Sequence, residues 1–508
     1  MTRLTSMMLA AVVACGLLLG LPGTAHAAIQ KRGNLKVMVT HVQRGELVTV
    51  RGWVPPRHSR TVVLQRKVSW GWATVARGKT TDRRGAFKLQ WTPDLAPQKV
   101  KLRVLAPRRK IGGKVYHMLK TPTRRLVVDP GPQPAVGDMS QVTMGNNTSD
   151  RISLSGDGRW ATFDSLAKDL VATTTEDDPY QDVYLEDRST GDTLRITNGR
   201  GTSTAADISA DGRYVLFDSF ASSLVLGDTN QNSDVFVYDA DTHELERLTD
   251  GDRGSYAAGI SDDGRYVVLY SFATNLVPDD TNGSRDVFLY DRDTDTIKRL
   301  TNGSSSAFDP AISADGQWVS FYSGASNLVA GDTNRNRDVF LYEVATGTTT
   351  RITDGNGASS SSRKALSADG RYLTFWSEAS NLVGNDTNAV QDVFVYDRVA
   401  GTTTRITDGN NHSSLPAISD DGQHVAFESY ATNLAPGTDK NDQLDAFVYD
   451  VATGITTRLG GATGATFHAS LSADGGVVGF TSSASDLAAG DTNDLADVFV
   501  WVRRPVAG

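Results

Sequence analysis

From Ser155 to Asp497 the chain cycles through one order of polar and apolar positions: a polar Ser-x-Asp-Gly turn, an aromatic-led apolar run, a polar loop and a second apolar run. The turn glycines are Gly158, Gly212, Gly264, Gly316, Gly370, Gly422 and Gly475, spaced 54, 52, 52, 54, 52 and 53 residues apart. A period so regular marks one supersecondary unit stacked on copies of itself. The copy ISDDGRYVVLYSFATNLVPDDTNGSRDVFLYDRDTDTIKRLTNG, residues 260–303, predicts four short strands. They fall near 258–261, then at 265–271, 286–291 and 296–301, where β-rich runs lie between Gly, Asp and Asn turn clusters. Four strands per unit predict a propeller blade, and seven units predict an all-β, seven-bladed β-propeller.

The seventh copy stops after Asp497-Val-Phe-Val-Trp501 and has no fourth strand. The missing piece is at the front. Gln141-Val-Thr-Met-Gly145 precedes Ser155 by ten residues, as Arg405-Ile-Thr-Asp-Gly409 precedes Ser419. An N-terminal strand is therefore expected to complete the last blade, a split-blade closure that leaves no large open sheet edge. In six copies a carboxylate ends the third strand: Asp187, Asp239, Asp291, Glu343, Asp397 and Asp450. An arginine follows eight residues later: Arg195, Arg247, Arg299, Arg351, Arg405 and Arg458. That spacing across a tight hairpin predicts a scaffolding cross-strand ion pair, replaced in the split blade by Val502 and Gln141.

The pattern S-x-D-G-[RQ]-[YW], an apolar strand and then D-V-F-x-Y-D resembles the WD40-like (PD40-type) repeat of the TolB C-terminal propeller. The Asn-Leu-Val…Gly-Asp-Thr-Asn insert is similar to a version found in secreted bacterial proteins. The resemblance covers about residues 139–502 and implies the fold. It says little about activity, because this fold serves binding platforms, peptidase gates and enzymes alike. TolB's own N-terminal domain is not part of it, so a Tol-system role is not implied.

Before the ring, Arg3, the apolar run 9–21 and Ala25-His26-Ala27 read as a signal peptide, residues 1–27, cleaved after Ala27. Val12-Val-Ala-Cys15 also resembles a lipobox, but the run stays apolar past Cys15, the only cysteine. No later segment approaches the ~20 apolar residues of a membrane helix. A secreted or envelope-associated monomer without disulfides is expected. Residues 29–130 hold 24 Lys/Arg against 4 Asp/Glu, a balance of +20. Residues 131–508 hold 26 against 55, a balance of −29. The shift marks a boundary, with 28–129 one module, the Pro-rich 130–138 a linker and 139–508 the ring. Six β-rich runs in 36–105 predict a small β-sandwich, and Gly71-Trp-Ala-Thr-Val-Ala…Gly85-Ala-Phe resembles bacterial Ig-like modules. Its Arg83, Arg84, Arg108, Arg109 and Lys110 are the candidate polyanion-binding residues. An exported protein would meet anionic envelope polymer with them, while nucleic acid and the chain's own acidic ring are alternative partners.

Within the ring, residues common to all copies read as scaffold. The Asp-Gly turns take φ > 0 at glycine. Tyr214, Tyr266, Trp318 and Tyr372, with Phe217, Phe321, Phe375 and Phe427, are expected to pack between blades. The loop after the second strand carries oxygen side chains at alternate positions. They are Asp228, Asn230, Asn232 and Asp234, then Asp280, Asn282, Ser284 and Asp286, then Asp332, Asn334, Asn336 and Asp338. Such positions suit a hard cation, so Ca²⁺ is the cofactor these loops would take. The plainer reading is hydrogen-bonded Asx turns, since the EF-hand Gly and terminal Glu are missing.

Residues that differ between copies are where specificity belongs. Just before each innermost strand stand Arg151, Tyr256, Phe308, Asp309, Arg363, Lys364 and His468, a candidate ligand ring at the channel mouth. No Gly-x-Ser-x-Gly elbow, transition-metal motif or phosphate loop occurs, and no catalytic residue is assigned. The sequence points to a non-enzymatic binding protein that takes a protein or glycan on its loop face. The alternative is an extracellular hydrolase or lyase working at the channel mouth.

Overall fold

Burial along each repeat follows the strand order. In one blade Tyr266–Ser271 and Asp286–Asp291 are buried almost throughout, whereas Thr296–Arg299 alternates between exposed and half-buried. Central strands covered on both faces need continuous apolar runs, and an outer strand needs only one apolar face. The computed structural model describes residues 139–171, 179–384, 386–435, 441–461, 463–488, 491, 493 and 495–503, with short stretches between 34 and 129 before them. Residues 1–33 and 130–138, hence the expected signal peptide and linker, lie outside the described residues.

Among the described residues there are seven four-stranded antiparallel sheets, each with its strands in chain order from the channel outward, apart from the split one. The innermost strand is Ser255–Ile260 rather than 258–261. Its extra residues are held because Ser255 faces Ser271, with the two hydroxyls 2.9 Å apart. The seven Ser-x-Asp-Gly turns are joined by backbone hydrogen bonds that run around the channel. Gly156 N donates to Ala210 O (2.9 Å), Ala210 to Asp262 (3.3 Å) and Asp262 to Ala314 (3.1 Å). Asp315 N then donates to Ala368 O (3.3 Å), Ala368 to Asp420 (3.0 Å), Asp420 to Ala473 (2.9 Å), and Ala473 back to Gly156 (2.9 Å). The circle closes on itself.

Closure is made as the sequence predicts. Met139–Gln141 pairs antiparallel with Asp497–Val502, with Met139 opposite Trp501 and Gln141 opposite Phe499. The inter-blade aromatics are also in place. Gly212 has φ 76° and lies against the Trp160 ring of the preceding blade, and Gly264, φ 74°, lies against Tyr214. A Cβ at either would collide with the ring, so glycine is required twice over. Phe217, Phe321, Phe375 and Phe427 are fully buried and stack on a third-strand phenylalanine of their own blade, 5.3–5.5 Å between centroids.

The expected cross-strand pair is not formed. The hairpin sets Arg299 opposite Phe288, three positions from Asp291. Asp291 instead binds Arg265 of the turn before the second strand (2.7 Å), and Asp187, Asp239 and Asp397 bind Arg159, Arg213 and Arg371 in the same way. Asp450 is met by Arg503, and Glu343 accepts from Thr346. The fourth-strand arginines serve the other end of the third strand. Arg195 meets Asp182, Arg299 meets Asp280 and Asp286, and Arg458 meets Asp445. Eight residues of hairpin overshoot the carboxylate because the strands pair three residues further along.

The first module forms a sandwich. One sheet orders Asn34–Val37, Val48–Trp53 and Ala86–Trp91. The other orders His41–Gln43, Arg124–Asp129, Gln98–Ala106, Thr61–Val68 and Gly71–Lys79. Val48, Val50 and Phe87 of the first meet Leu64, Leu102 and Val104 of the second in one core. Arg66 of this module forms an ion pair with Asp192 of the first blade and donates to Gly191 O at 3.2 Å. Both side chains are buried, and burial holds the Arg66 guanidinium below its usual value and Asp192 above its own. No helix of the described residues is long and apolar enough to cross a membrane.

Candidate functional site

Six of the seven innermost strands break register two to three residues in, at Asp150/Ser153, Ala205/Asp207, Ala257/Gly259, Phe308/Ala311, Ser414/Ala417 and Phe467/Ser470. A bulge of this kind turns an extra residue out of the ladder, here toward the channel. In four blades that residue is not glycine yet is left-handed: Arg151 (φ 55°), Asp309 (φ 40°), Leu415 (φ 48°) and His468 (φ 54°). Each such residue costs on the order of 1–3 kcal/mol and persists only where its surroundings hold it. In the fifth blade the strand is cut to Ser359–Ser360, and Arg363 and Lys364 ride on the unladdered stretch that follows.

All four strained residues line one cavity of about 260 Å³, together with Arg363, Lys364, Ser362, Glu428 and Ser470. The structure thus brings together Arg151, Asp309, Arg363, Lys364 and His468 from four blades. Tyr256 and Phe308 do not reach the cavity; they stack one layer back on Tyr270 (5.4 Å) and Tyr322 (5.3 Å). Arg285 lies 4.9 Å over the Phe308 ring.

Contacts cross the channel. Lys364 forms an ion pair with Asp207, which also accepts from Ser153 (3.0 Å) and Ile260 N (3.1 Å). Arg363 donates to Tyr270 Oη (3.1 Å) and lies 3.7 Å from Asp309. His468 Nδ1 is 2.7 Å from Asp150 Oδ1, which also accepts from Thr481 at 2.9 Å, and the His468 amide donates to Glu428 at 2.6 Å. Burial works against the imidazolium, but the Asp150 hydrogen bond and charge prevail and raise the His468 pKa. Asp150 is correspondingly lowered, the His468 contacts overcoming its burial. Burial pushes Glu428 up, Asp164 up to about 8 and Asp218 up to about 6. The Arg151 guanidinium is exposed and makes no hydrogen bond or ion pair among the described residues.

A second tier of this site escaped the sequence reading. The residue before the recurrent second-strand serine is Asp164, Asp218, Tyr270, Tyr322, Trp376, Glu428 or Thr481. In four blades it stands opposite the residue at the bulge, as Asp150 opposite Asp164 and Ser414 opposite Glu428. The signal was available: it is a position that varies between an apolar residue and an invariant Ser.

The cation loops are filled from within. Asn230 Nδ2 donates to Asp234 (2.9 Å), and Asn232 N donates to Asn230 Oδ1 (2.9 Å), an Asx turn with Gln231 left-handed. The same bonds recur at Asn282/Ser284/Asp286 and Asn334/Asn336/Asp338. The carboxylates converge, but on an arginine: Asp280 lies 2.9 Å from Arg299, Asp332 2.8 Å from Arg351 and Asp228 3.3 Å from Arg247. No group of three or more His, Cys, Asp or Glu among the described residues is placed to hold a metal ion. Arg83, Arg84 and Arg108 lie outside the described residues; Arg109 and Lys110 belong to Arg109–Ile111, which pairs with Lys114–Tyr116.

Repeat, turn ring and split blade define a β-propeller whose repeat resembles the WD40-like repeat of TolB. No family model matches the chain. Over 151 residues it is 26% identical to the TolB homologue of Chlorobium chlorochromatii (strain CaD3), covering 29% of each chain, so it spans under a third of that relative's length. Similar solved structures include an oligogalacturonate lyase in complex with manganese (14% identity, 72% of this chain and 94% of that one, TM-score 0.49). TolB of Acinetobacter baumannii is another (14% identity, 74% and 80%, TM-score 0.40), as is a TolB of Agrobacterium tumefaciens (17% identity, 55% and 89%, TM-score 0.37).

Proposed function

We propose that the protein is a secreted, non-enzymatic binding protein of the cell envelope that takes its ligand at the channel mouth. One observation carries the reading: four non-glycine residues are strained left-handed in four separate blades, and all four line one cavity. Strained residues cluster at sites where the surroundings hold them for a function, and these four converge on one cavity. The ligand class is protein or glycan, and the basic module adds charge-driven attachment to anionic polymer. The mature chain acts as a monomer.

A second reading, an extracellular hydrolase or lyase at the mouth, is favoured by the His468–Asp150 pair. An imidazole fixed at Nδ1 by a carboxylate leaves Nε2 for a proton transfer. The two separate in one screen of the mature chain against soluble envelope glycans and peptides, following both heat of binding and product. Binding without turnover, weakened by His468→Ala and Arg363→Ala, supports the first reading. Turnover abolished by His468→Ala replaces it with the second.

A further inference from the structure

Charge at the mouth runs against the charge of the ring that holds it. Residues 131–508 carry a balance of −29, yet Arg151, Arg363, Lys364 and His468 all reach one cavity. Two of these cations are already used: Lys364 by Asp207, and Arg363 between Asp309 and Tyr270. Arg151 is unspent, and the Asp150 contact keeps His468 disposed to carry a proton. With His468 set against the Asp150 carboxylate, the surplus is the single positive charge of Arg151. A polyanion brought to the face would be repelled by the rest of the ring, so the seat suits a ligand with one negative group.

The other lining groups say what surrounds that group. Ser470 is 3% exposed, and its hydroxyl has no hydrogen-bond partner among the described residues although it stands in the cavity wall. A buried hydroxyl left unpaired costs about 1–3 kcal/mol, which a ligand hydroxyl would recover. Glu428 already accepts the His468 amide, and burial biases it toward the neutral acid, so it offers hydrogen bonds rather than a counter-charge for an ammonium. A cavity of about 260 Å³ encloses one sugar ring and not a folded protein surface.

We propose that the channel mouth seats the terminal, singly anionic sugar of an otherwise neutral glycan, with Arg151 and His468 on the oxyanion and Ser470 and Glu428 on its hydroxyls. This rests on the binding reading above and narrows it to one ligand chemistry. The acid group is a carboxylate or a sulfate ester, both monoanionic oxyanions that the same two cations would meet.

The test is calorimetric titration of the mature chain with a neutral oligosaccharide ending in glucuronate, its carboxyl-reduced form, a sulfate-ended form, polyglucuronate and a glutamate-rich peptide. The glucuronate-ended glycan is expected to bind at least tenfold more tightly than the reduced form. Arg151→Gln is expected to erase that preference, and Ser470→Ala to weaken binding without erasing it. The sulfate-ended arm tells which oxyanion is preferred. Equal binding of the reduced form, an undiminished preference in Arg151→Gln, or tighter binding of polyglucuronate or the peptide overturns the proposal. A protein or neutral glycan bound at the mouth with no acid preference overturns it while the binding reading stands. Ligands indifferent to every cavity substitution overturn both.

Discussion

Thr143 donates its hydroxyl to Asp497 Oδ1 at 2.7 Å across 354 residues of chain. In five of the other six blades the same bond is local, as Thr249 to Asp234 at 2.9 Å and Thr301 to Asp286 at 2.6 Å, each 15 residues apart, while the sixth has Gly460 in the place of the threonine. The split blade has thus kept the internal wiring of the continuous ones and moved one strand to the far end of the sequence. It lacks the arginine, since Gln141 stands where the others have it. Gln141 hydrogen-bonds Asp497 instead, and Asp491 Oδ1 is buried with no partner among the described residues.

That relationship predicts where the ring is weakest. Thr143→Val should cost about 1–3 kcal/mol by leaving the Asp497 carboxyl short of a donor, as Thr301→Val should for Asp286. Deleting 139–146 should do far more, because it exposes the edge of Asp497–Val502 and undoes the closure. Thermal unfolding of the three proteins checks this. A deletion that melts with the wild type would mean the ring is held by the turn circle alone.

What the sequence showed and what it hid divide along a physical line. Turn chemistry and apolar runs are local, so Gly264, Tyr266 and Phe288 announce the blade from a single copy. The missing fourth strand after Trp501 and the orphan strand at Gln141 were equally visible, since closure is a matter of counting. Register is less local. Asp291 and Arg299 looked like partners until the pairing set Arg299 against Phe288 and gave Asp291 to Arg265. The bulges were hidden altogether: nothing in Asp150-Arg151-Ile152 or Phe467-His468-Ala469 requires a left-handed backbone. The residues that fill the cavity were therefore found by their variability, and Tyr256 and Phe308 were carried along with them although they pack behind it.

Asp218 gives a pH test. Its carboxyl is buried and pushed up to about 6, above the usual unfolded value near 3.9. A raised acid favours its protonated form in the fold, so it costs nothing below pH ~4. It subtracts stability as pH rises toward 6, by about 3 kcal/mol in all, and no further above that. Asp218→Asn keeps an acceptor for Ala257 N and presents a donor to Ser233 Oγ. The variant and the wild type should melt together near pH 4, with the variant ahead by several degrees at pH 7. An offset that does not depend on pH would show that folding leaves the Asp218 pKa where it is in the unfolded chain.

Calcium would have to enter the Asp280 loop against the Arg299 guanidinium, 2.9 Å from the carboxylate it needs. In the wild type about 1 mM calcium, the range in which extracellular modules bind it, should move the melt no more than magnesium does. Arg299→Gln frees Asp280 and Asp286 and should add a calcium-specific rise. A calcium-specific rise in the wild type, lost in Asp280→Ala, would show that the ion displaces the arginine.

The basic module should hold polyanions, and only part of its charge should matter. Its +20 balance lies beside a ring of −29, so binding must be made by cations that the ring has not already taken. Arg66 is one the ring has taken: it is buried against Asp192. Binding of the mature chain to an anionic polymer should fall steeply between low and high salt, because the contacts are screened charges. Replacing Arg108, Arg109 and Lys110 together by alanine should weaken it and flatten the salt dependence. Arg66→Ala should leave the affinity unchanged and instead lower the melting temperature, since removing one partner strands a buried carboxylate at a cost of about 3–5 kcal/mol. Polymer affinity measured against salt, with melting curves of the same proteins, separates the two roles. Affinity lost in Arg66→Ala with its melt intact would place the polymer where the ring now docks.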